Sequence, residues 1–158
     1  MINLEAKNID FSFGKTSILK KLSLKIPKSK ISVILGPNGC GKSTLLKVLA
    51  RLYTPSCGEI LLDDQDINQV SFKEIAKKLS LMAQSPTIPE DITVRDLVFF
   101  GRHPYQGLFS RNSKEDIDAV ERALSITKMK GFEHRLLHEL SGGQRQRAWL
   151  TMAISQET

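Results

Sequence analysis

The sequence predicts an α/β fold with an antiparallel β front, a helical insert and one returning helix. Three observations carry this. Apolar residues alternate through residues 2–13 and again at Leu22, Leu24 and Ile26, the two-residue period of half-buried strands. A short apolar run at 31–35 leads through a glycine-rich turn into leucines at helical spacing, which reads as strand, loop and helix. Beyond Gln84, Pro86 and Pro89 interrupt the chain, and the periodicity from there on is helical.

The elements follow in order. Ile2, Leu4 and Ala6, then Ile9, Phe11 and Phe13, alternate along a first half-buried strand, which turns at Gly14-Lys15 into an antiparallel partner carrying Leu22, Leu24 and Ile26. Pro27-Lys28-Ser29 is a second turn. The nearly continuous apolar run at 31–35 reads as a strand covered on both faces. Leu45, Leu46, Leu49 and Leu52 mark one side of the helix that follows. A strand is expected at 58–62, a capped helix start at Ser71-Phe72-Lys73-Glu74, and a further apolar strand at 79–82. Thr93-Val94-Arg95-Asp96 opens a helix whose apolar side is Val94, Leu97 and Val98. A loop with Pro104 and Gly107 covers 101–112. Ser113-Lys114-Glu115-Asp116 then begins a helix with Ile117, Val120 and Leu124 at helical spacing, which Gly131 is expected to end. The last helix begins at Ser141. The zones are a β-rich front with part of an α/β core (1–84), a helical insert (85–140) and the returning helix (141–158).

Composition narrows the function classes. At 158 residues, with 41% hydrophobic and 25% charged residues, the chain is an ordinary globular domain. No apolar run approaches the roughly 18 residues of a membrane span, and the start shows no secretory pattern. Cys40 and Cys57 have neither disulfide-framework nor zinc spacing, so a reducing compartment is expected. The net charge is +6, and residues 1–30 carry seven lysines against Glu5 and Asp10. These lysines are not interleaved with stacking aromatics, so they read as a solvated face and no nucleic acid is expected. His103, His134 and His138 read as surface or loop residues.

Gly36-Pro37-Asn38-Gly39-Cys40-Gly41-Lys42-Ser43 fits G-x-x-x-x-G-K-[ST] in full, between an expected strand and an expected helix. Glycines allow positive φ and let backbone N–H groups approach a phosphate with no Cβ in the way. The helix start points unsatisfied amides and its positive dipole end at the same anion. Lys42 supplies a point charge for the β- and γ-phosphates, and the Ser43 hydroxyl is a hard oxygen ligand for Mg²⁺. Cys40 reads as a small filler of the loop.

Leu140-Ser141-Gly142-Gly143-Gln144-Arg145-Gln146-Arg147 has its own logic. Ser141 is a good N-cap and Gln144 completes a capping box, while Gly142 and Gly143 leave first-turn amides bare for an anion. On its own this is a well-capped helix. Together with the phosphate loop, and in this order, it resembles the ATP-binding subunit of ABC transporters. Residues 36–43 look like the Walker A loop, with Thr44 just after it. Gln84 looks like the Q-loop glutamine, and residues 140–144 look like the signature LSGGQ. Phe13 lies where the family has an aromatic that stacks on adenine. The stretches at 83–84, 91–94, 101–105 and 108–109, followed by 140–149, resemble importers of iron–siderophore complexes and vitamin B12 in particular.

The resemblance implies a P-loop NTPase of the ABC ATP-binding domain type, α/β with an antiparallel β front and helical insert, incomplete at the C-terminus. It implies ATP held by Phe13, Gly36, Pro37, Asn38, Gly39, Cys40, Gly41, Lys42, Ser43 and Thr44, and by Ser141, Gly142, Gly143 and Gln144 acting on the nucleotide of a second copy in a head-to-tail pair. It implies Mg²⁺ at Ser43 and Gln84, with Gln84 also in a catalytic role. It further implies transmembrane permease partners reached through about 85–105, a periplasmic or surface substrate-binding protein acting indirectly, and a peripheral place on the cytoplasmic face of the membrane. The family's Walker B aspartate, its water-polarising glutamate and its switch histidine have no position in these 158 residues. The chain alone is therefore expected to lack appreciable ATPase activity, and residues 31–35 to lack strand neighbours. A truncated non-catalytic fragment, an ABC ATPase outside transport and a small-molecule kinase are the alternatives.

Overall fold

The computed structural model describes residues 4–82, 91–107 and 112–158, in two compact units, 1–75 and 76–158. In the first unit, β1 (Leu4–Phe13), β2 (Thr16–Ile26), β3 (Cys57–Leu62) and β4 (Gln65–Asp66) form an antiparallel sheet in the order β2-β1-β3-β4. Ala6 stands opposite Leu24 on one side and Ile60 on the other, and Leu4 opposite Ile26 and Leu62. The buried set is Leu4, Ala6, Ile9 and Phe11 of β1 with Leu19, Ile60 and Leu62. Strict alternation would send Ile9 to the opposite face from Ala6. Instead the register shifts between Ala6 and Ile9. The register shifts again between Ile9 and Phe11, and the two irregularities hold non-glycine residues at positive φ, Asn8 (48°) in β1 and Lys21 (44°) in β2. Their amides are satisfied locally: Asn8 N–H donates to Ser23 Oγ at 2.8 Å, and Lys21 N–H to Asp10 Oδ1 at 2.9 Å. At Gly58 (φ 85°) β3 passes so close to the backbone of Lys7 and Asn8 that a Cβ has no room.

Helix α1 (Lys42–Leu49) buries Leu45, Val48 and Leu49. Leu46 and Leu52, expected on that same side, are exposed: the helix stops at Leu49 and its apolar stripe runs through Val48. Arg51, at φ 56°, ends it and donates to the carbonyls of Asn68 and Val70, with its guanidinium 4.4 Å from the Phe72 ring centroid. α2 (Phe72–Ala76) follows the expected cap, Glu74 N–H donating to Ser71 Oγ at 3.2 Å.

Two expected strands are not formed. Residues 31–35 carry no ladder, with Ile31, Val33 and Leu35 exposed at 95%, 72% and 86%, and residues 79–82 are also irregular. An apolar run becomes a strand only beside a neighbour that takes its N–H and C=O groups. Among the described residues no strand pairs with either run.

The second unit is helical: α3 (Val94–Phe100), α4 (Lys114–Ile126) and α5 (Gly142–Ser155). Each begins where its sequence predicts, with a complete capping box, at Thr93 with Asp96, Ser113 with Asp116, and Ser141 with Gln144. Their shared core contains Leu97, Val98, Val120, Leu124, Met129, Leu137, Leu140 and Ala148, with Trp149 packed partly against it. Ile117 lies outside it, exposed. α4 ends earlier than expected, where Lys128 takes φ 57°, and Gly131 instead falls in a 3-10 turn, Lys130–Phe132. Short pairings hold the segment before α5 to the start of α3: Val94 N–H donates to Arg135 O and Leu137 N–H to Ile92 O, both at 3.0 Å.

Arg102 is 3% exposed and Asp116 4%. Arg102 Nε donates to Asp116 Oδ1 at 2.9 Å, and Nη1 donates to the Ser155 carbonyl at 2.7 Å and to Glu157 Oε2 at 3.0 Å. Its guanidinium lies 4.0 Å from the Tyr105 ring centroid. One buried cation thus ties the start of α4 to the end of α5. Among the described residues, no helix is long and apolar enough to cross a membrane.

Candidate functional site

The phosphate-loop candidates, Gly36 to Ser43, form an exposed turn that feeds α1. Gly39 and Gly41 sit at φ 82° and 93°, conformations open to glycine at little cost. Gly41 is the N-cap of α1 and contributes no side-chain cap. Helix geometry therefore leaves the first-turn amides without intrahelical acceptors. A Cβ at Gly41 would also press on Ile18 Cγ2 at 3.0 Å and Leu19 Cδ2 at 3.4 Å, so the helix start is seated closely against β2. Lys42 Nζ donates to the carbonyls of Gly36 (2.8 Å) and Pro37 (2.7 Å) and lies 3.6 Å from Cys40 Sγ. The lysine thus closes the loop on itself and holds its ammonium there. The Ser43 hydroxyl is exposed and Thr44 half-buried. Amides at a helix N-terminus, an ammonium and hydroxyls make a donor set suited to a phosphate chain.

Phe13, at the end of β1, is 50% exposed, so it is not a core strand residue. Its ring meets Phe11 edge-on at 5.0 Å and Tyr53 edge-on at 5.5 Å, while Phe11 and Tyr53 stack on each other at 5.3 Å. Sequence reasoning singled out Phe13 and missed Tyr53. No pattern in the chain joins Tyr53 to β1; only the fold does.

In the second unit, Ser141 Oγ accepts from Gln144 N–H at 3.3 Å, and Gln144 Oε1 accepts from Ser141 N–H at 2.9 Å. The capping box therefore engages the Gln144 carbonyl oxygen and leaves its amide nitrogen as the donor. A Cβ on Gly142 or Gly143 would meet nothing within 4 Å, so the helix start is open at both glycines. Gln84 lies outside the described residues. Among the described residues no group of three His, Cys, Asp or Glu side chains could hold a metal ion. Ser43 is the Mg²⁺ candidate that the structure describes, and a hard cation there would need oxygens from a phosphate chain and water.

Residues 19–158 match the family model described as "ABC transporter". The chain is 48% identical, over 98% of its length, to "Petrobactin import ATP-binding protein FpuD" of Bacillus anthracis, and 47% identical, over its whole length, to "Probable siderophore transport system ATP-binding protein YusV" of Bacillus subtilis. It is 44% identical over 98% of its length to "Ferric enterobactin transport ATP-binding protein FepC" of Escherichia coli. It spans 57–58% of the length of these relatives. Among solved structures, cbiO1 of Clostridium perfringens, part of the ABC transporter complex cbiONQ, superposes with a TM-score of 0.80 at 25% identity, covering 98% of this chain and 61% of that one. MJ1267, an ATP-binding cassette of an ABC transporter, gives 0.82 at 25% identity, with 99% and 66% covered.

Proposed function

Because the chain belongs to the ABC transporter family, we propose that it is the nucleotide-binding portion of an ATPase subunit that energises import of an iron–siderophore-type chelate through membrane partner subunits. The observation that carries the reading is the phosphate loop, with Gly39 and Gly41 at positive φ and the Lys42 ammonium held at the start of α1. In this reading the α1 amides and Lys42 bind the β- and γ-phosphates. Thr44 adds a hydroxyl, and Phe13 stacks on the base. Ser43 and Gln84 hold Mg²⁺, which neutralises phosphate charge, and Gln84 carries the catalytic role. Ser141, Gly142, Gly143 and the Gln144 amide meet the nucleotide of a second copy paired head to tail. The relatives' names, petrobactin, siderophore and enterobactin, support the chelate class. The subunit is peripheral, on the cytoplasmic face, docked to permease subunits and served indirectly by a substrate-binding protein. The 158 residues bind ATP without appreciable turnover, since a positioned base contributes about 10²- to 10⁴-fold in rate and the family's water-polarising glutamate has no counterpart among them.

Titration calorimetry with Mg-ATP tests this. Lys42→Ala is expected to weaken binding at least tenfold, the equivalent of about 1.4 kcal/mol, with no phosphate release above background from either protein. Equal ATP affinity of the two proteins would defeat the assignment of the loop, and phosphate release that Lys42→Ala abolishes would defeat the binding-only reading.

A further inference from the structure

We infer that Tyr53 is a positioning residue for the base of the nucleotide, acting by holding the Phe13 ring; this rests on the ATP-binding reading above. Phe13 is the last residue of β1 and precedes the turn at Gly14. A half-exposed ring at a strand end keeps rotamer freedom unless neighbours restrict it. Here two rings do so. Phe11, buried in the sheet, and Tyr53 lie nearly parallel, 9° apart, and Phe13 meets both at close to a right angle, 90° and 88°. Edge-to-face contacts of this kind are directional, since the positive edge of one ring seeks the negative face of another. The plane of Phe13 is thereby fixed from two sides, and a base that stacks on it finds an ordered surface.

Tyr53 itself is placed by α1. Leu52 N–H and Tyr53 N–H both donate to the Lys47 carbonyl, at 2.8 and 3.3 Å, and the Lys47 ammonium lies 5.4 Å from the Tyr53 ring centroid. One helix, about 12 Å long by its eight residues, thus carries Lys42 and Ser43 at its start and sets Tyr53 at its end. The phosphate end and the base end of the site share a single rigid element.

The inference separates base-dependent from phosphate-dependent binding. The chain is titrated with ATP and with inorganic triphosphate, in wild type, Tyr53→Leu and Tyr53→Phe. Tyr53→Leu should bind ATP about 3- to 10-fold more weakly, the effect of a lost aromatic pair, and triphosphate as wild type does. Tyr53→Phe keeps the ring and should restore ATP binding. Circular dichroism melts of all three proteins accompany the titrations. Unchanged ATP affinity in Tyr53→Leu overturns the inference, and so does an equal loss for both ligands, which would place the effect on the phosphate loop. A wild type that binds triphosphate as tightly as ATP removes the base platform and leaves the phosphate loop standing. A wild type that binds neither overturns both readings.

Discussion

Arg102→Met should unfold the helical unit far more readily than its single-residue scale suggests. Arg102 is buried and makes hydrogen bonds to the Asp116 carboxylate, the Ser155 carbonyl and Glu157. Hydrogen bonds to charged groups contribute about 1.5–3 kcal/mol each, but they are not additive here because all three share one guanidinium. The larger effect is on what remains: Asp116 would be left ionised, buried and without its cation. Breaking one partner of a buried pair costs about 3–5 kcal/mol, a large part of the roughly 5–15 kcal/mol that holds a domain folded. The pH dependence distinguishes this mechanism from simple loss of packing. Burial works to raise the Asp116 pKa, but hydrogen bonds from Arg102 and Ser113 outweigh it and hold the carboxyl below its ordinary value. A carboxyl depressed in the folded state stabilises above its unfolded pKa of about 4 and loses that contribution as pH falls through the folded value. In Arg102→Met burial is unopposed by the guanidinium, the folded pKa rises, and acid relieves the penalty. The gap between wild type and variant should therefore narrow as pH falls, beginning at the variant's raised Asp116 pKa and ending at the depressed wild-type one. Trp149 is the sole tryptophan and packs partly on the helical core, so urea unfolding followed by its fluorescence reads this unit directly. Arg102→Met with Asp116→Leu should be less destabilised than Arg102→Met alone. A cost under about 1 kcal/mol, or a gap that stays constant from pH 7 to 3, would mean that Asp116 is not left as an uncompensated buried charge.

The Ser141→Ala variant loses the hydroxyl that caps α5 and should lose about 1 kcal/mol in the same assay. Val33→Lys should leave stability within about 0.5 kcal/mol, because the side chain is largely exposed. The same change should reduce self-association in sedimentation velocity, because it puts a charge into an exposed apolar run that has no strand partner among the described residues.

What could be read from the sequence divides along a physical line. The helix starts at Thr93, Ser113 and Ser141 were legible because a cap is a contact between residues three apart. The phosphate loop was legible because its glycines, lysine and serine are consecutive. The strand irregularities were not legible: they hold Asn8 and Lys21 at positive φ, and no composition rule marks a lysine for that conformation. Nor could the sequence show that Tyr53 returns to β1, or that Arg102 is buried, since both contacts are made between distant segments. Hydropathy alone read the run at 31–35 as a strand, because it reports what a segment can bury against. That the run would lack strand neighbours came from the family resemblance, and among the described residues none pairs with it.

The two candidate anion sites are built on opposite solutions to the same problem. Every helix start leaves amides without partners. At α5 the chain answers with its own side chains: Ser141 and Gln144 satisfy one another's backbone N–H groups, and Gly142 and Gly143 merely keep the approach open. At α1 the N-cap is Gly41, which has no side chain to give, and Lys42 is turned toward carbonyls of its own loop. A helix start that its own side chains do not cap gains more from an external anion than one already capped. Phosphate binding should therefore couple to the stability of the unit that contains α1. The cap at Ser141 should govern the stability of the helical unit with or without ligand. That asymmetry is why Lys42→Ala is expected to act on binding and Ser141→Ala on stability, although both lie within one residue of a helix start.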